Sequence, residues 1–107
     1  MRKQLVELAH ARSGDKGDIA DISLFAPDPE SYDLLAREVT AVRVKEHFAG
    51  IITGKVERFE VPNVLALKFV LYGALDGGAS RSLRSDSLGK SLSSALLRME
   101  IEVQTDR

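Results

Sequence analysis

The chain has no cysteine and no tryptophan among its 107 residues. Without thiols, a disulfide framework, a thiolate zinc site, an iron–sulfur cluster and a cysteine nucleophile are all excluded. That absence fits a reducing compartment, and a cytoplasmic setting is expected. Charge of one sign is also missing, because 15 Lys and Arg nearly cancel 16 Asp and Glu. No general polyanion binding is implied, and nucleic acid is not an expected partner. No stretch approaches the length of about 18 apolar residues that a membrane helix needs. The start, MRKQLVELAHARSGD, lacks the apolar core and small-residue cleavage site of a secretory leader, so no membrane association is expected.

What is present is the composition of an ordinary globular domain, 44% hydrophobic and 29% charged. At this length there is room for one core, so residues 1–107 are expected to form a single domain. Gln4–His10 alternates and reads as a first strand. Ala11–Asp18 (ARSGDKGD) is rich in turn chemistry, and Ile19–Ala26 reads as a second strand running back along the first. Asp28-Pro29-Glu30 starts a helix, with Tyr32, Leu35, Ala36 and Val39 on one face. Thr40 caps a second helix carrying Ala41, Val44, Phe48 and Ile51, which Gly50 or Gly54 ends. Lys55–Val61 reads as a third strand stopped by Pro62.

Asn63–Leu75 is apolar almost throughout, and its length, with Pro62-Asn63 before it and Gly77-Gly78 after it, favours a helix. Ser80–Ser85 reads as a strand and Asp86–Gly89 as a turn. Leu88, Leu92, Ala95, Leu96 and Met99 form the stripe of a last helix, followed by an edge strand at Glu100–Val103 and a short tail from Gln104. Reversing strands separated by helices predict an α+β sandwich, ferredoxin-like, with helices packed on one face of a largely antiparallel sheet.

The densest chemistry lies in His10-Ala-Arg-Ser-Gly-Asp-Lys-Gly-Asp18. In one reading it is an anion or carbonyl site: Gly14 and Gly17 let backbone amides converge, while Arg12 and Lys16 bring positive charge. His10, held by Asp15 or Asp18, would serve as acid or base. The structural alternative is a tight connection in which Asp15 and Asp18 cap amides and pair with the two cations. A hydrolase triad of Ser13, His10 and Asp15 or Asp18 lacks the G-x-S-x-G elbow. A metal site of His10, Asp15, Asp18 and Asp21 is opposed by Arg12 and Lys16, and no metal is expected.

A second concentration spans Ser80–Arg98, where Arg81, Arg84, Lys90 and Arg98 face only Asp86. Gly89-Lys90-Ser91 lacks the upstream glycine of a phosphate loop, since Arg84 occupies that position. With Ser80, Arg81, Gly89 and Lys90, the segment can still seat an anion at a helix start. His47 reads as a surface or hydrogen-bonded helix residue. Phe48, Phe59, Phe69 and Tyr72 read as core or interface packing.

HARSGDKGDIADI at 10–22, VERFEVPN at 56–63, GALDGGASRSLRSD at 73–86 and GKSLSSALLRMEI at 89–101 together resemble a known family. It is the small domain found at the C-terminus of acyclic terpene utilisation proteins of the AtuA type, which also occurs as a free-standing chain. The resemblance implies a ferredoxin-like fold. The longer proteins join this domain to a large one in the catabolism of branched terpenoid acids through acyl-CoA thioesters. The resemblance therefore implies an accessory domain beside a separately encoded AtuA-type large subunit, with an acyl-CoA or other anionic ligand. A small stand-alone enzyme on an acyl-CoA or carboxylate substrate is the alternative, and a homo-oligomerisation module is a third. The matching positions are His10, Arg12–Asp18, Gly77, Gly78, Ser80, Arg81, Asp86, Gly89 and Lys90, and no catalytic role carries over to any of them. Asp21 stands where the family commonly has Asn, and Ser23 where Gly is usual, which adds a negative charge beside the motif.

Overall fold

The computed structural model describes residues 1–16, 19–73 and 88–103. The elements in chain order are β1 (Arg2–Gln4), β2 (His10–Lys16), β3 (Ile19–Phe25), α1 (Pro29–Glu38), α2 (Ala41–His47), β4 (Val56–Val61), β5 (Ala66–Tyr72), α3 (Leu88–Leu97) and β6 (Glu100–Glu102). Four strands form one sheet in the order β2-β3-β5-β4, and β1 and β6 form a separate two-stranded ribbon. Every strand pairing in these sheets is antiparallel. The architecture is therefore an α+β, ferredoxin-like sandwich.

Its first strands depart from the sequence-based expectation. Only Arg2–Gln4 pairs as a strand, and Leu5–Glu7 turns into a 3-10 helix. The Gln4 N–H donates to Glu7 Oε2 at 3.1 Å, and the Leu5 N–H donates to the Met99 carbonyl at 2.9 Å. This local closure turns the fully buried Leu5 into the core and ends the alternation. The ARSGDK part of the motif, read as turn, is instead strand. It pairs residue for residue with β3, from His10 opposite Phe25 to Lys16 opposite Ile19. A complete ladder for the backbone outweighs the turn preference of Gly, Ser and Asp side chains.

The starts of α1 and α2 follow from their caps. Asp28 Oδ1 accepts the Ser31 N–H at 2.8 Å with Pro29 in the first turn, and Thr40 Oγ1 accepts the Arg43 N–H at 3.1 Å. The Ser31 backbone and side-chain bonds hold the Asp28 carboxyl below its ordinary pKa. Tyr32, Leu35, Val39, Val44 and Phe48 turn inward as their spacing predicts. Gly50, at φ 93°, follows the end of α2. The Tyr32 hydroxyl is buried with no hydrogen-bond partner among the described residues, and burial raises its pKa.

Two arginines bind the C-terminal end of α1. Arg58 Nη1 donates to the carbonyls of Ala36 (2.7 Å) and Val39 (3.3 Å). Arg43 Nη1 donates to the Glu38 carbonyl at 3.0 Å, and its Nη2 reaches the Glu100 carbonyl at 3.0 Å. Guanidinium groups thus satisfy helix-end carbonyls that no described amide outside the helix reaches, at the negative end of the helix dipole.

The helix expected at 63–75 is not formed, and residues 74 and 75 lie outside the described part. A 3-10 turn over Pro62–Val64 leads through Leu65, in the left-handed conformation (φ 56°), into β5. β5 lies between β3 and β4, so its backbone is paired on both sides. Leu67, Phe69 and Leu71 enter the core, while Lys68, Val70 and Tyr72 are half-buried on the other face. Apolar residues on both faces of a central strand erase the period of two, which is why the run resembled a buried helix.

Ala20, Ile22 and Leu24 of β3 join that core, closed over by α1, α2 and α3 through Leu35, Val44, Phe48, Leu92 and Leu96. Each such buried Leu, Ile, Val or Phe side chain contributes about 1.5–3 kcal/mol. α3 begins at Leu88, so the turn expected at Asp86–Gly89 is helix at its last two positions. β6 realises the predicted final strand, paired with β1. The strand expected at Ser80–Ser85 and the tail from Gln104 lie outside the described residues. Among the described residues, no helix is long and apolar enough to cross a membrane.

Candidate functional site

β2 and β3 carry the HARSGDKGD motif, and the pleat sorts its residues by parity. Ala11 and Ser13 stand opposite Leu24 and Ile22, on the side that the helices cover. His10, Arg12 and Gly14 stand opposite Phe25, Ser23 and Asp21, on the face that no described helix covers. His10 and Ser13 therefore lie on opposite faces of the sheet and are not brought together as base and nucleophile. Asp15 takes the register position opposite Ala20 and Lys16 that opposite Ile19. Gly17, Asp18, Ser80 and Arg81 lie outside the described residues. Gly89 and Lys90 are in the first turn of α3.

Registers across β2, β3, β5 and β4 organise this open face into rows. One row is His10, Phe25, Ala66 and Val61. There the imidazole stacks on the Phe25 ring, with centroids 5.1 Å apart and planes at 16°. The next row is Arg12, Ser23, Lys68 and Phe59, and the third is Gly14, Asp21, Val70 and Glu57. Lys68 Nζ reaches diagonally to Asp21 Oδ2 at 3.3 Å. The carboxylate added by Asp21 is thus matched by a cation from the central strand. A side chain on Gly14 would lie 3.2 Å from Asp21 Oδ1, so glycine there lets the carboxylate rest against the backbone.

At the far end of this face the Tyr72 hydroxyl donates to Glu57 Oε1 at 2.9 Å, and Lys55 Nζ lies 3.2 Å from Glu57 Oε2. The Tyr72 bond, then Lys55, holds the Glu57 carboxyl below its ordinary pKa, and the same bond raises the Tyr72 phenol. Phe48 and Phe69 are core, as expected, but Phe59 is 48% exposed on the open face.

Sequence reasoning missed Phe25, Lys68 and Phe59 as members of this surface. Lys68 was the available signal, a single charge between Leu67 and Phe69 in an otherwise apolar run. Arg98 lines a separate shallow cleft of about 400 Å³ with Arg2, Arg43, Glu46, His47 and Glu100. Several of its groups are engaged with one another or with backbone: His47 Nε2 bonds the Ala95 carbonyl at 2.7 Å and Arg2 pairs with Glu100 at 3.2 Å. Among the described residues, no three His, Asp or Glu side chains converge as a metal site would require.

An antiparallel sheet with helices on one face and a motif-bearing hairpin exposed on the other defines the class as a ferredoxin-like α+β domain. The family model described as "AtuA ferredoxin-like domain" matches residues 3–102, nearly the whole chain, and the chain belongs to that family. No curated protein and no solved structure matches it significantly.

Proposed function

We propose that this chain is an accessory, ligand-contacting domain that works beside a separately encoded AtuA-type large subunit, in acyl-CoA-linked catabolism of terpenoid or branched acids. The observation that carries this reading is the open face of the β2–β3 hairpin. It presents the matching motif residues His10, Arg12 and Gly14 away from the core, beside Lys68 and Asp21. Nothing in the core requires an imidazole or a guanidinium there. A surface of mixed charge that also carries the stacked His10–Phe25 pair suits a contact with a partner and its anionic ligand better than a self-contained cavity.

Co-expression with an AtuA-type large subunit tests the reading. The wild-type chain is expected to co-purify with it, and Arg12→Glu to weaken the complex about tenfold or more while the circular dichroism spectrum is unchanged. Failure of the wild type to co-purify, or indifference of the complex to Arg12→Glu, would overturn it. Turnover of acyl-CoA thioesters by the isolated chain, abolished by His10→Ala, would instead establish the stand-alone enzyme.

A further inference from the structure

The two outer strands of the sheet are β2 and β4. The β2 edge belongs to the motif hairpin, whereas β4 has been given no role. Its registers with β5 run unbroken from Val56 opposite Leu71 to Val61 opposite Ala66, without a bulge or an internal proline. Phe59 and Val61 are 48% and 36% exposed on it. Proteins blunt such an edge with a bulge, a proline, a covering element or charged side chains, and of these β4 has only the charges of Glu57, Arg58 and Glu60, of both signs and so able to pair with a second copy.

Hydrogen-bond parity shows which backbone groups this edge offers. The Tyr72 N–H donates to the Lys55 carbonyl at 2.9 Å, so the odd-numbered residues of β4 turn their backbone groups toward β5. On the other side of β5, the Ala26 N–H donates to the Leu65 carbonyl at 2.9 Å, so Leu67, Phe69 and Leu71 bond toward β3 and Ala66, Lys68, Val70 and Tyr72 toward β4. The two assignments agree. Val56, Arg58 and Glu60 therefore direct N–H and C=O groups outward, where no described backbone group meets them.

From this edge we infer that the chain forms a homodimer by antiparallel β4–β4 pairing, with Phe59 opposite Phe59 of the second copy. Parity admits two registers that engage most of the strand. One sets Arg58 against Arg58, which like-charge repulsion disfavours. The other sets Arg58 against Glu60 and Glu60 against Arg58 as hydrogen-bonded pairs, with the two Phe59 rings facing each other between them. Arg58 and Glu60 are already an ion pair within one chain, at 2.8 Å, so the dimer continues an alternating row of charge across the two-fold axis. The isologous contact closes on itself, as a dimer interface must, and joins two four-stranded sheets into one. Both β2 edges and their motifs remain at the outside, so the inference does not depend on a large subunit.

Because the chain has no native cysteine, single-cysteine variants test the register cleanly. The isolated chain is expected to be a dimer by light scattering at roughly 100 µM. Phe59→Cys is expected to cross-link to itself on mild oxidation, since facing residues of a non-hydrogen-bonded pair lie within disulfide reach. Glu57→Cys alone is expected not to cross-link, but to do so when mixed with Val61→Cys. Glu60→Lys, at an exposed side chain, is expected to weaken the dimer about tenfold or more with its fold retained. A monomeric wild type, a dimer indifferent to Glu60→Lys, or cross-linking through β2 in place of β4 would overturn the inference. So would protection of the β4 amides from exchange by an AtuA-type large subunit instead of by a second copy. Loss of large-subunit binding with the dimer intact would leave this inference standing and overturn only the proposed function.

Discussion

His10 and Phe25 face each other across the first hairpin with their rings stacked at 5.1 Å, which makes the motif's imidazole part of a cross-strand pair on an exposed surface. Such pairs stabilise sheets modestly. His10→Ala is expected to cost about 0.2–1 kcal/mol, and a double-mutant cycle with Phe25→Leu to give a coupling of about 0.5–1 kcal/mol in urea denaturation. An uncoupled cycle would mean that the rings do not interact in solution.

Arg58 has a structural task that precedes any role at an interface. Its Nη1 serves the carbonyls of Ala36 and Val39 at the end of α1. Arg58→Ala leaves those acceptors without this donor and is expected to lower stability by about 1–3 kcal/mol. Arg58→Lys recovers only part of it, because a point charge does not reproduce the planar fork. Chemical denaturation of the three proteins, compared at one concentration, checks the ranking.

Gly54 lies against β5 just before β4 begins, and a side chain there would sit 2.6 Å from the Tyr72 carbonyl oxygen. Backbone, unlike a flexible side-chain tip, cannot swing away. Gly54→Ala is expected to cost about 1–3 kcal/mol and to disturb the amide signals of Tyr72 in NMR spectra. A neutral substitution would show that this corner is looser than described.

The Glu57–Tyr72 pair gives the stability a dependence at both ends of the pH range. Glu57, with its pKa lowered first by Tyr72 and then by Lys55, stabilises the fold above the unfolded carboxylate range, and this contribution disappears as pH falls through its lowered value. Tyr72, with its pKa raised by the bond to Glu57, contributes below the unfolded phenol range and loses that contribution as pH rises through its raised value. Tyr72→Phe is therefore expected to lower stability near neutral pH and to flatten both limbs of a melting-temperature profile. Parallel profiles for the two proteins would count against the bond.

Local chemistry was legible where one residue acts on its immediate neighbours. Asp28 and Thr40 cap the helices that their positions announce, and Ile19–Phe25 and Val56–Val61 are strands. The open-face site was half legible. The motif HARSGDKGD stood out by its density, but its division between two faces depended on β2 continuing through Arg12, Ser13 and Gly14, whose local preferences argue for a turn.

The sequence by itself determined the starts of α1 and α2, most of the core residues and, through its motif strings, the family. Only the tertiary structure decided that Asn63–Tyr72 is a 3-10 turn and a central strand, because an apolar segment takes its conformation from the partners that complete its hydrogen bonds. The same pairing turned His10 and Ser13 to opposite faces. It also left β4 as an outer strand, since strand order depends on contacts between residues far apart in the chain.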